Sequence, residues 1–212
     1  MRDFPMFTTE YGVGSLVLKE IPYRGAAYIT IRDSAQPEEF LTECTNFCKA
    51  VGAERVYATG HPLLEQYPFY TSVIQMSAPW EIIPETDACL FPVTESILSR
   101  WQSIYNERMQ DIDNAAYLTD RGAREMLKRG DGYFVHRNGQ LLGIGMAADD
   151  RIDCIASVQP GAGRDIVSAL VRALMCDRIL LEVASTNHRA IKLYESLGFI
   201  QTAEISKWHK II

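Results

Sequence analysis

Residues 152–183 run from an apolar strand through a glycine turn into an apolar helix and out along a second apolar strand. The helix is expected over 165–175. Its apolar positions Ile166, Val167, Ala169, Leu170, Val171, Ala173, Leu174 and Met175 cover most of the circumference, which predicts a helix buried on nearly every side. Residues 178–183 are apolar except at their ends, as in a strand covered on both faces of its sheet. A buried strand-turn-helix-strand unit follows, and with it an α/β fold.

The segments upstream extend that unit. Residues 89–93 read as a short apolar strand, and 95–109 as a helix with Ile97, Leu98, Trp101 and Tyr105 on one stripe. Thr94 is placed to cap it. A second helix is expected over 120–129, ending at Gly130-Asp131-Gly132. Strands 133–137 and 140–147 then flank Asn138-Gly139, a dipeptide suited to a type I′ hairpin because both central positions need positive φ.

Residues 1–84 contain fewer glycine signals but a similar rhythm. Residues 37–55 and 160–178 have the same length, begin with Pro and end in Arg before a strand. Residues 69–73 echo 193–197, followed by Ile-Gln directly in the first case (Ile74-Gln75) and after Gly198-Phe199 in the second (Ile200-Gln201). Two readings stay open: a degenerate internal repeat, or the chance likeness of any two units of this size. The expected organisation is an N-terminal α/β segment, 1–84, and a second domain, 85–212.

Composition removes several function classes. With 212 residues, net charge -6 and no Lys/Arg run, the chain lacks the basic footprint of a nucleic-acid binder. No apolar leader or uninterrupted span of about 18 apolar residues is visible, so no membrane partner is expected and the cytoplasm is the default location. An acidic surface suits cationic amines. Cys44, Cys48, Cys89, Cys154 and Cys176 form no CxxC pair and read mostly as reduced core thiols. Cys44 and Cys48 share a helix face, but two ligands make no closed metal site, so no metal is expected.

Residues 158–165, Val-Gln-Pro-Gly-Ala-Gly-Arg-Asp, join strand to helix. Free amides and the helix dipole make such a turn an anion site. A dinucleotide fingerprint would need a third glycine, which is missing. Downstream stand Leu181-Glu182-Val183, Asn187, Ala190-Ile191, Leu193-Tyr194-Glu195 and Leu197-Gly198-Phe199. Together with Val158-Gln159-Pro160 and Gly163, these residues resemble the acyl-CoA signatures of the GNAT superfamily of N-acyltransferases. The resemblance covers about residues 85–212 and is strongest from 152 onward.

That resemblance implies a mixed, centrally splayed β-sheet flanked by helices, with acetyl-CoA as acyl donor and an amine of a small molecule or peptide as acceptor. Main-chain groups of Ala156, Ser157 and Val158 would pair with the pantetheine arm. Amides of Ala162, Gly163, Arg164, Asp165, Ile166 and Val167 would cradle the pyrophosphate, with Arg164 adding a charge. Asn187 would hold the cofactor or the strand crossing, or serve as a helix N-cap. Tyr194 matches the family tyrosine that protonates the departing thiolate, and it is also placed to pack as a helix tyrosine.

The turn departs from the family pattern by one residue, and Asp165 stands where a glycine would sit. This motivates the alternative of a non-catalytic acyl-CoA-binding or sensory module, and a further one of a structural relic. Asp149, Asp150, Asp153 and Glu182 are the candidate bases. His136 is expected in solvent, and His61, His188 and His209 show no carboxylate partner. Trp80, Trp101, Tyr70 and Tyr105 are candidate acceptor walls or core, and a homodimer is an open assembly.

Overall fold

Asn138 and Gly139 both adopt positive φ, 51° and 79°, and their turn closes an antiparallel hairpin between residues 132–137 and 140–148. The twist of such a turn matches that of the strands it joins. The hairpin belongs to a computed structural model that describes residues 6–174 and 176–212. In chain order the elements are β1 (Met6–Thr8), β2 (Gly12–Val17), α1 (Ile21–Arg24), β3 (Ala26–Ser34), α2 (Pro37–Ala50), β4 (Arg55–Thr59) and β5 (Phe69–Pro79). There follow β6 (Cys89–Pro92), α3 (Leu98–Met109), α4 (Asp120–Arg129), β7 (Gly132–Arg137), β8 (Gln140–Ala148) and β9 (Arg151–Ser157). The last are α5 (Gly163–Ala173), β10 (Arg178–Ala184), α6 (His188–Ser196) and β11 (Ile200–Lys210).

Three expected details differ. The helix predicted from residue 95 opens as a 3-10 turn, Glu95–Ile97, and the Thr94 side chain makes no capping bond; its hydroxyl lies 3.1 Å from Ser96 Oγ instead. Thr119 does cap α4, accepting from the Gly122 amide at 3.2 Å. The buried helix ends at Ala173, and Met175 lies outside the described residues.

The chain forms two compact units, one of residues up to 72 together with 204–212, the other of residues 73–203. In the first, the strand order is β1-β2-β3-β4-β11, with β3 and β4 parallel. Phe40, Leu41, Cys44 and Cys48 of α2 pack against Leu16, Ile29 and Val56. Burial pushes the Cys44 thiol up to about 12 and that of Cys48 to about 11, so this pair packs as core. A separate cluster gathers Tyr28, Tyr57, Tyr70 and Trp208, with the Tyr57 and Tyr70 rings stacked at 3.9 Å.

The second unit has the order β5-β10-β9-β8-β7-β6, with β9 and β10 parallel and the other neighbours antiparallel. One core joins the sheet to α5 and α6 through Met76, Ile166, Leu170, Leu181, Tyr194 and Phe199. The other joins it to α3 and α4 through Trp101, Met126, Phe134, Ile144 and Ala156. Each large side chain so buried contributes about 1.5–3 kcal/mol. The expectation that β10 is covered on both faces is corrected: Ile179, Leu181 and Val183 enter the α5/α6 core, whereas Leu180 is partly exposed and Arg178 and Glu182 are exposed, so most of the strand alternates between a buried and an open face. Gly143 and Gly145 let α5 close on β8, because a Cβ there would stand 2.6 Å from Ile166 Cδ1 and 2.4 Å from Leu170 Cδ1 respectively.

Each unit thus contains a parallel strand-helix-strand crossover, and the two equal-length stretches 37–55 and 160–178 fall within it. The second echo does not align: residues 69–73 are strand, whereas 193–196 are helix. Among the described residues, no helix is long and apolar enough to cross a membrane.

Candidate active site

The parallel ladder between β9 and β10 holds only at Leu180↔Arg151 and Leu181↔Ile152. On its other side β10 pairs with β5 over seven positions, Arg178↔Pro79 to Ala184↔Val73. Beyond Ile152, then, β9 and β10 part while each keeps its outer neighbour. The register between β8 and β9 shifts at the same place, leaving Asp153 as the extra residue of a bulge, which bends a strand and ends its pairing. In the order of the second unit the split lies between the second and third of six strands.

Main-chain groups in a strand point alternately to its two neighbours. The Val158 amide donates to the Leu142 carbonyl at 2.9 Å, so Val158 and Ala156 address β8, and Ser157 and Ile155 address the split. Of the three residues expected to offer main-chain groups, Ser157 faces the split, while Ala156 and the Val158 amide face β8. Ile155 faces the split as well, a position the sequence reading did not single out. Alternation from Ser157 would have found it, had the phase of the ladder been known. Leu142, itself the extra residue of a second bulge, also accepts from Gln159 at 3.2 Å.

The turn after β9 places its amides unevenly. The Ala162 amide donates to Gln159 O at 3.3 Å and that of Ile166 to Ala162 O at 3.0 Å, while Val167 lies inside the helical ladder. Gly163, Arg164 and Asp165 form the first turn of α5, where amides have no partner within the helix. Three such amides at the positive end of a helix dipole are able to receive an anion. Arg164 itself bonds to Ser196 O and Oγ, both at 3.2 Å, so its guanidinium ties α5 to the end of α6. Asp165 is paired with Arg137 at 2.8 Å.

Tyr194 is 6 % exposed and packs at 5.8 Å from Phe199. Burial, and secondarily the Cys154 thiol, raise its phenol well above the ordinary tyrosine value. Cys154, on β9 just past the bulge, is itself pushed up to about 12 by burial. Asn187 caps α6, its Oδ1 accepting from the Ala190 amide at 3.1 Å.

The acidic candidates separate by position. Asp149 and Asp150 lie at the closed end, where the Leu180 amide bonds to Asp150 O at 2.8 Å. Glu182 is neutralised by Arg151 at 2.7 Å. Asp153 is exposed, 3.9 Å from the same guanidinium, and stands where the ladder stops. At the other rim, Thr186 donates to Asp113 Oδ2 at 2.6 Å, bringing the loop after α3 beside the loop after β10.

The histidines and aromatic candidates have structural surroundings. His136 is not free in solvent: its Nδ1 is buried without a partner, its ring packs on Phe91 at 5.1 Å, and burial lowers its pKa. His61 caps a 3-10 turn through Leu63 N, and His209 Nδ1 meets Tyr67 O at 3.0 Å. Trp101 is buried and donates to Tyr133 O, and Trp80 donates to Val171 O, each at 3.0 Å.

No family model matches the sequence, and no curated protein matches it. Solved structures do. A conserved protein of unknown function from Staphylococcus epidermidis is similar with TM-score 0.61 at 12 % identity, over 99 % of this chain and 94 % of its own. A GNAT-family acetyltransferase from Colwellia psychrerythraea is similar with TM-score 0.51 at 12 % identity, over 97 % and 83 %. A putative acetyltransferase from Pyrococcus horikoshii gives TM-score 0.61 at 12 % identity, over 95 % and 69 %.

Proposed function

From the GNAT fold that this chain has, we propose that it is an N-acyltransferase that moves an acetyl group from acetyl-CoA to an amine. The observation that carries this reading is the split between β9 and β10, whose ladder stops after two pairs, opening beside the unpartnered first-turn amides of α5. A pantetheine arm is an extended chain of amides, and the Ser157 and Ile155 main chain offers it a strand edge. The pyrophosphate end suits the amides of Gly163, Arg164 and Asp165. The acceptor nitrogen attacks the thioester carbon, the C–S bond breaks, and the thiolate takes the Tyr194 phenol proton.

Burial keeps that phenol protonated and makes it a weak donor, so it gives its proton only to a base as strong as the departing thiolate. The raised Cys154 thiol is a poor nucleophile, which favours direct transfer with proximity supplying much of the rate. Asp153, exposed where the split begins, is the carboxylate best placed to take the ammonium proton, directly or through water.

The N-terminal segment, 1–84, is proposed to be a degenerate copy that holds no second site. Its β3–β4 ladder stays closed over five pairs, Ala26↔Arg55 to Thr30↔Thr59, and the turn before α2 contains no glycine.

Release of free thiol from acetyl-CoA, followed across a panel of primary amines, tests the activity, and calorimetry with CoA tests the site. Tight CoA binding with no thiol release from any amine would make the protein a sensor. Absence of binding at millimolar CoA would overturn both readings.

A further inference from the structure

Asp165 brings a negative charge to the turn proposed to receive pyrophosphate, and both of its oxygens are engaged. Oδ1 accepts from Thr86 Oγ1 at 3.0 Å and Oδ2 from Arg137 Nη1 at 2.8 Å. The Thr86 oxygen in turn accepts from the Ala88 amide at 3.2 Å, so the hydroxyl is held with its proton directed at the carboxylate. Arg137 also stands 3.9 Å from Asp87 Oδ1. Three stretches of chain converge here: the first turn of α5, the end of β7 and the segment before β6.

A carboxylate at this position of a helix has two options if left alone. It can bond back to the first-turn amides, occupying the donors an anion would use, or it can stand free and repel that anion. Pairing with Arg137 removes both. The guanidinium is 40 % exposed and the carboxylate 24 %, so the pair is partly screened and sensitive to salt.

We propose that Arg137 is a positioning residue for acyl-CoA: by holding and neutralising Asp165 it keeps the amides of Gly163, Arg164 and Asp165 open to phosphate. The inference rests on the acyl-CoA reading above. Thr86 assists from the other carboxylate oxygen. This accounts for an acidic residue in a phosphate turn, the feature that had favoured a sensor or a relic.

The test is CoA affinity, measured by calorimetry at low and at molar salt, for the wild type, Arg137→Ala, Arg137→Lys, Thr86→Val and the double variant Arg137→Ala/Asp165→Asn. Arg137→Ala is expected to weaken binding about three- to tenfold at low salt, the scale of one partly exposed charge, and less at molar salt. Arg137→Lys retains most of the affinity. Thr86→Val weakens it in the same direction by less, and gives a reading even where Arg137→Ala folds poorly.

Removing the Asp165 charge in the double variant restores affinity to within about twofold, which a direct Arg137-phosphate contact would not allow. A double variant as weak as Arg137→Ala, or Arg137→Ala binding like the wild type, overturns the proposal alone. A wild-type protein that does not bind CoA overturns the acyl-CoA reading and this inference with it.

Discussion

Gly163 lies against Leu193 so closely that a Cβ on it would stand 2.7 Å from Leu193 Cδ2. The contact sets how near the first turn of α5 comes to α6, and therefore where its amides sit. Gly163→Ala is expected to cost about 1–2 kcal/mol as the helices adjust. Adding Leu193→Ala should return part of that loss, because the obstruction is the end of one side chain. Thermal melts of the two single variants and the double form the cycle; strictly additive losses would mean that the two residues do not share this contact.

Tyr194→Phe should lower kcat by about 10²-fold while leaving the KM for acetyl-CoA nearly constant, as expected on loss of a general acid. In the wild type the phenol pKa lies above its usual 10.0, so the proton is present throughout the neutral and mildly alkaline range. The rate should accordingly rise with pH as the acceptor amine deprotonates, with no alkaline loss from this residue below about pH 10. A Phe variant with wild-type kcat would remove Tyr194 from the chemistry.

Stability should fall above pH 9. Cys44 and Cys48 have ordinary values of 9.0 and are raised to about 12 and about 11 in the fold, while Tyr28 moves from 10.0 to about 12. In each case burial is the largest cause. Folding favours the protonated forms, so their contribution is complete below pH 9 and declines as the unfolded chain begins to release protons. Melting temperatures between pH 7.5 and 10.5 should be level at first and then drop, and Cys48→Ala should flatten the drop. A profile identical in that variant would place the alkaline sensitivity elsewhere.

Removal of residues 204–212 should unfold the first unit. That segment supplies the pairs His209↔Ala58 and Lys210↔Tyr57, the Lys207–Glu65 ion pair at 2.6 Å, and the Lys207 carbonyl that accepts from Thr59 at 2.6 Å. Hydrogen exchange would show β3 and β4 losing protection while β7 and β8 keep theirs. Unchanged protection in β4 would count against an integral role for β11.

Features dictated by neighbouring residues in sequence were legible before the structure. Asn138-Gly139 specified its own turn, and the apolar circumference of residues 166–171 specified burial, because both follow from local backbone preference and periodicity. Features decided by partners far along the chain were not. The bulges at Leu142 and Asp153 depend on cross-strand register, which no single strand encodes. The engagement of Asp165 depends on Arg137, 28 positions away. Thr94 had the right residue type for a cap and the right position, yet the 3-10 turn after it took away the amide geometry a cap requires. Likewise His136, polar and next to Arg137, packs its ring against Phe91 and Phe134.

The placement of β11 also sets the order of events during synthesis. Strands β1 to β4 are made well before β11, the strand that lies beside β4. At about 5–20 residues per second, the intervening residues 73–203 impose a delay of roughly ten seconds. During that interval β4 presents an unpaired edge, in a nascent chain whose second crossover, β9 through β10, is still being assembled.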